Sequence, residues 1–91
     1  MPITVQVPYV LRPCCRGAAE LTCPGATARE VLEHLERAHP ELYRSVCNET
    51  GAIRQHVNLF INESLATDEN QLDDELQSGD VVAIFQAVSG G

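Results

Sequence analysis

The chain has 91 residues, 44% of them hydrophobic and 21% charged, which allows one modest core and is too apolar for a disordered segment. Its formal net charge is −7, and because six arginines and six acids share residues 1–54, residues 55–91 carry the whole excess. Such a surface repels phosphate backbones and anionic membranes, and no apolar run approaches the roughly 20 residues that span a bilayer. The expectation is a soluble, cytoplasmic chain with neither nucleic-acid nor membrane partners.

Residues 3–11, ITVQVPYVL, alternate with Ile3, Val5 and Val7 on one face and Thr4 and Gln6 on the other, the period of a half-buried strand. Arg12–Gly17 reads as a turn and Ala18–Cys23 as a second short strand closing a hairpin, ended by Pro24-Gly25. Thr27 and Glu30 form a capping box ahead of Val31, Leu32, Leu35 and Ala38, so an amphipathic helix is predicted to start there and stop before Pro40. Glu41–Cys47 makes a further helical turn. In HVNLFIN, residues 56–62, Val57, Leu59 and Ile61 share one face and Phe60 points to the other, away from the helix. Residues 64–78 are polar, with Leu65, Leu72 and Leu76 as sparse anchors, and Ser78-Gly79-Asp80 is a turn. The last strand, VVAIFQAV, is apolar on both faces and so fits the middle of a sheet. Strand, strand, helix, strand, variable segment and long strand form an α+β order, that of the β-grasp domains: a mixed four- to five-stranded sheet covering one main helix, with the final strand beside the first. Residues 1–86 form this domain and 87–91 a flexible Gly-Gly tail.

Four cysteines, Cys14, Cys15, Cys23 and Cys47, and three histidines, His34, His39 and His56, are the metal-ligating types present. No C-x2-C pair occurs, and tetrahedral sites draw their ligands from such close pairs in tight turns. The reading is therefore no metal site, with the thiols as small buried hydrophobes. A redox or metal-binding module using Cys14, Cys15 and Cys23 is the alternative.

The end of the chain, Ala87-Val88-Ser89-Gly90-Gly91, follows directly on the most apolar strand. Two terminal glycines pack nothing and lose the most entropy on ordering, but without Cβ atoms they can enter a narrow channel and offer a free carboxylate to another protein's catalytic site. A carboxylate is a poor electrophile. Adenylation with ATP gives it a leaving group, and sulfide or a persulfide can then displace AMP to leave a thiocarboxylate. The chain has no nucleophile–base pair or phosphate loop of its own, so it reads as a protein substrate rather than an enzyme. It would bind no cofactor, with ATP and the sulfide source used by the partner.

The terminal GDVVAIFQAVSGG resembles the ThiS/MoaD family of ubiquitin-like sulfur carriers, and VPYVLRP, EVLEHLERAHPEL and GAIRQHVNLFINE are most similar to its cysteine-forming, CysO-type branch. The resemblance spans nearly the whole chain. It departs at Gln86, where a proline is common, and across Leu65–Leu76, where a Gly-Leu-containing segment is usual. It implies a β-grasp fold with Gly91 as the sulfur-bearing carbonyl, Gly90 as its slender neighbour and Ala87, Val88 and Ser89 as the threading arm. The partners it implies are a ubiquitin-activating-like adenylyltransferase that loads the terminus, a pyridoxal-phosphate-dependent synthase or other acceptor enzyme that uses the sulfur, and a zinc peptidase that releases cysteine. A permanent small subunit of a MoaD-like synthase, or a modifier conjugated to target lysines, would use the same tail.

With Val82 and Ile84 packed inward, Val81, Ala83 and Phe85 emerge beside Phe60, and this uncovered apolar patch is the candidate docking face. The acidic 63–80 segment is expected near it, where it would steer a basic partner rim.

Overall fold

The computed structural model of the chain describes residues 2–67 and 71–86. They form strands β1 (Pro2–Gln6), β2 (Glu20–Pro24), β3 (Val57–Ile61), β4 (Ser64–Ala66) and β5 (Val81–Gln86), helices α1 (Ala28–Ala38) and α2 (Pro40–Val46), and a 3-10 helix over Tyr9–Cys15. The strand order is β2-β1-β5-β3-β4. Only the β1–β5 pair is parallel, with Val5 opposite Val82; β3 runs antiparallel to β5, with Leu59 opposite Ile84. The last strand is thus the middle one, as its two apolar faces require.

One face of the sheet is the core face. Ile3, Val5 and Val7, Val57 and Leu59, and Val82 and Ile84 are buried there with Ala28, Val31, Leu32 and Leu35 of α1, the stripe that the helical period predicts. The capping box forms one residue out of step. Thr27 Oγ1 accepts from the Glu30 amide at 3.2 Å, while Glu30 Oε1 reaches past Thr27 to accept from the Ala26 amide at 3.0 Å. Pro40 takes the first turn of α2, where a missing amide hydrogen costs nothing, and α2 adds buried Leu42 and Val46.

Two features tie the acidic segment to this core. Leu72 and Leu76 are buried, and their backbones bond across to α1's start, Arg29 N donating to Leu72 O at 2.9 Å and Leu76 N to Ala26 O at 2.7 Å. The Arg29 guanidinium also holds the Asp73 carboxylate at 2.7 Å, a hydrogen bond that keeps that carboxyl below its ordinary pKa. The pair's contribution is therefore present at neutral pH and fades as pH falls through the lowered value.

The structure moves several predicted boundaries. The first strand stops at Gln6 rather than Leu11, because Pro8 lacks an amide to continue a ladder and opens the 3-10 helix, which absorbs most of the expected Arg12–Gly17 turn. The second strand is Glu20–Pro24 instead of Ala18–Cys23. β4 was not predicted: Leu65, expected as a core anchor, is 47% exposed on a strand paired to β3. Asn62, in the left-handed region at φ 57°, makes that tight turn, and its Oδ1 accepts from the Val81 amide at 3.1 Å. Of the predicted VVAIFQAV strand, Val81–Gln86 is β5, and Ala87 and Val88 lie outside the described residues.

Gly25 makes the β2–α1 connection possible. A Cβ there would sit 2.9 Å from Val31 Cγ2 and 3.1 Å from the Val31 amide nitrogen. Gly25→Ala should cost about 1–3 kcal/mol by overpacking, and Leu35→Ala about 2–5 kcal/mol through its cavity, both read from urea-unfolding midpoints. A wild-type midpoint for Gly25→Ala would contradict this packing.

Candidate functional site

The chemistry foreseen for this chain begins where β5 ends. Gln86 is paired to Val57 of β3, so the strand is held by a neighbour up to its last described residue. Ala87, Val88, Ser89, Gly90 and Gly91, the predicted threading arm and reactive terminus, lie outside the described residues. Among the described residues Gln86 Oε1 is buried without a hydrogen-bond partner, an arrangement that costs about 1–3 kcal/mol and favours a donor arriving from elsewhere.

Phe60 and Phe85 are brought together on the face away from α1. Phe60 lies opposite Ala83 in the ladder, and its ring meets Phe85 edge to face, with centroids 5.3 Å apart at 90°, a favoured aromatic geometry. Phe85 is 52% exposed. Ala83, expected to emerge with them, is buried although it faces outward, and Val81 is half-buried. A methyl flanked by neighbours on both strands leaves little surface. Leu65 lies opposite Phe60, so an apolar strip crosses β4, β3 and β5.

Sequence reasoning missed the apolar side chains that the 3-10 helix exposes. The 3-10 helix exposes Tyr9 (80%) and Val10 beside the same end of the sheet. The Arg12 guanidinium lies 5.7 Å over the Tyr9 ring, and its Nε donates to Val7 O at 3.1 Å. Pro8, Arg12, Glu20, Ala83 and Phe85 are among the walls of a cavity of about 450 Å3. Reading residues 3–11 as one strand hid this; Pro8 was the signal that the ladder ended.

The acidic segment meets the docking face at one end only: Glu63 lines a cavity with Val81, and Leu65 of the strip belongs to the segment. Asp80 precedes β5, its carboxylate accepting from Gln77 N at 2.8 Å and from Asn62 Nδ2 at 3.3 Å, and Asp73 sits at the start of α1. The strand's length, about 20 Å at roughly 3.3 Å per residue, separates Asp80 from Gln86.

The cysteines are dispersed. Cys23 faces the core from β2, Cys15 is buried with its thiol toward Ala18 O, Cys47 is buried after α2, and Cys14 is half-buried, its Sγ 3.9 Å from Ser45 Oγ. Among the described residues no group of three or more His, Cys, Asp or Glu side chains could hold a metal ion. Burial pushes the Cys23 and Cys15 thiols above the ordinary value, away from the reactive thiolate. Among the described residues no helix is long and apolar enough to cross a membrane.

A mixed five-stranded sheet with the last strand central and one main helix on its core face is the β-grasp arrangement of ubiquitin-like proteins. The ThiS family model matches residues 5–91. The sulfur carrier protein CysO of Mycobacterium tuberculosis is 28% identical over 93 residues, spanning 100% of both chains. Small archaeal modifier protein 1 of Haloferax volcanii is 35% identical over 66 residues, 72% of this chain and 71% of that protein. A chain in the crystal structure of the Amycolatopsis orientalis BexX/CysO complex superposes with a TM-score of 0.82 at 26% identity, covering 98% of this chain and 99% of that one. The chain belongs to the ThiS family. It is a small ubiquitin-like protein of the sulfur-carrier type and not an enzyme.

The thiol environments set an order of reactivity. In native protein, iodoacetamide should label Cys14 first, with Cys15, Cys23 and Cys47 protected until unfolding, as peptide mass mapping would show. Fast labelling of Cys23 would contradict its place in the core.

Proposed function

We propose that this chain carries sulfur on its own C-terminus. The Gly91 carboxylate attacks the α-phosphorus of ATP in the site of a ubiquitin-activating-like adenylyltransferase, releasing pyrophosphate and forming an acyl-adenylate. Sulfide displaces AMP and leaves a thiocarboxylate; a persulfide displaces AMP to give an acyl disulfide, whose S–S bond two equivalents of a thiol reductant cleave to the thiocarboxylate and free thiol, the reductant leaving as its disulfide. Its sulfur is then a nucleophile for an acceptor enzyme in the cytoplasm: a pyridoxal-phosphate-dependent synthase in a cysteine-forming pathway, with a zinc peptidase releasing the amino acid, or an enzyme making another sulfur-containing metabolite. ATP and the sulfur source belong to the partners. Gly90 lets the end enter a channel too narrow for a Cβ, Ala87–Ser89 reach into it, and the Phe60–Phe85 strip bears on the partner's surface.

The observation that supports this reading best is the family match, whose span of residues 5–91 includes Gly90 and Gly91. The naming of a full-length relative as a sulfur carrier supports it, as does the solved complex in which a CysO chain is paired with BexX. The 35% identical relative named as a modifier supports a second use, an isopeptide bond from activated Gly91 to a lysine of another protein. Having no lysine, this chain could not build lysine-linked chains on itself.

Incubation with ATP, sulfide and the activating enzyme should replace one oxygen of the chain by sulfur, seen by intact mass. Deleting Gly91, or adding one residue after it, should abolish that exchange while leaving the urea midpoint within about 0.5 kcal/mol of wild type, the range of changes that touch no packed feature. Sulfur acquisition by the extended chain would overturn the mechanism.

A further inference from the structure

The charge map inverts what the sequence suggests about how the partner is approached. The chain is strongly acidic overall, yet three of its arginines gather at one end of the sheet, with Glu20, Glu36 and Glu49 bordering them. Asp73 and Asp80, with Glu63 beside Asn62, lie at the pole where β5 begins. At the other pole, where β5 finishes, Arg44, Ser45, Arg54 and His56 close with Leu11 and Gln86 around a cavity of about 270 Å3. Arg12 stands on the outer side of the same strand end, in the cavity that Phe85 lines.

These side chains are positioned rather than scattered. Arg54 Nε donates to the Arg44 carbonyl at 2.7 Å, tying the segment before β3 to the end of α2, and Arg12 is fixed by Val7 O and the Tyr9 ring. Acids do border the pole: Glu20 lines the outer cavity, and Glu36 and Glu49 share a third cavity with Arg44 and Arg54. Among the described residues, however, no carboxylate lies within ion-pair distance of Arg12, Arg44 or Arg54, whereas Arg29 at the opposite pole is paired. Guanidiniums with no carboxylate within ion-pair distance among the described residues therefore collect at the end of β5, in a chain of net charge −7.

We propose that Arg44 and Arg54, lining one cavity with His56, and Arg12 across the strand form an arginine collar that docks on an acidic lip around the entrance of the protein receiving Gly90-Gly91. The inference rests on the reading that the tail enters a partner, and adds the sign of that partner's rim. Guanidiniums pair with carboxylates bidentately, and charges of opposite sign set the approach and register of docking. The acidic pole, about 20 Å away at roughly 3.3 Å per strand residue, lies beyond the Debye length of about 8 Å at physiological salt, so it does not cancel the collar's local field.

The test uses the full chain and an octaglutamate peptide, followed by amide NMR. Shifts should map to residues around Arg44, Arg54, His56 and Gln86, vanish at high salt, weaken about tenfold or more in an Arg44→Glu/Arg54→Gln variant, and persist in Asp74→Arg/Glu75→Arg. With the activating enzyme, the Arg44→Glu/Arg54→Gln chain should show a raised KM and an unchanged kcat. No shifts, shifts spread over the surface, or equal binding by both variants would overturn the collar. So would inorganic tripolyphosphate shifting these residues at concentrations where octaglutamate does not, which would make the pole a phosphate site. The peptide map does not depend on sulfur chemistry, so loading of the Gly91-extended chain would sink the carrier mechanism without touching this result.

Discussion

Everything in this fold depends on β5 being gripped from both sides, parallel to β1 and antiparallel to β3. Two ladders satisfy its backbone, and Val82 and Ile84 are buried beneath it, each side chain contributing about 1.5–3 kcal/mol by removal from water. The strand that ends the described chain is thus the one most deeply embedded in the sheet. The packing of the described domain comes from β5 and the elements that precede it.

The grip on β5 also sorts the rest of the surface. Its inward residues meet α1, and its outward residues meet Phe60 and, through β3, Leu65, so the apolar strip follows from the same register that builds the core. Its two ends lie at two poles of different character. Near its start, the 71–80 segment packs Leu72 and Leu76 under the N-terminus of α1 and leaves its carboxylates in water. Near its finish, the 3-10 helix, the end of α2 and the approach to β3 converge, bringing Arg12, Arg44 and Arg54 to one region. The hydrophobic strip thus lies beside a pole where three arginines gather.

What could be read from residue order was whatever had a local physical signature. α1 was legible because Thr27 and Glu30 mark its start, Pro40 its stop, and Val31, Leu32 and Leu35 its buried stripe. β5 was legible because only a central strand tolerates apolar residues on both faces. The Phe60–Phe85 pair followed from alternation alone. The end of β1 was misread because Val7, Tyr9 and Leu11 continue an alternating pattern after Pro8 has removed the hydrogen bond that would sustain it. β4 escaped notice because three residues are too few to show a period, and its only pointer was the Asn62-Glu63 turn. The charge geometry was beyond reach, since Arg12, Arg44 and Arg54 are remote in sequence and only topology makes them neighbours. The tail is the reverse case: its glycines are plain in the sequence, and its chemistry is inferred from composition and family rather than from packing.

The arginine distribution offers a clean way to locate the sulfur. Trypsin cuts for the last time after Arg54, and Met1, Cys14, Cys15, Cys23 and Cys47 all precede that cut, so peptide 55–91 contains no sulfur of its own. In protein digested after loading, tandem mass spectrometry should find the exchanged atom in this peptide, confined to fragments that retain Gly91. Added sulfur in a cysteine-bearing peptide, with 55–91 unchanged, would contradict the account and make the thiols the carriers.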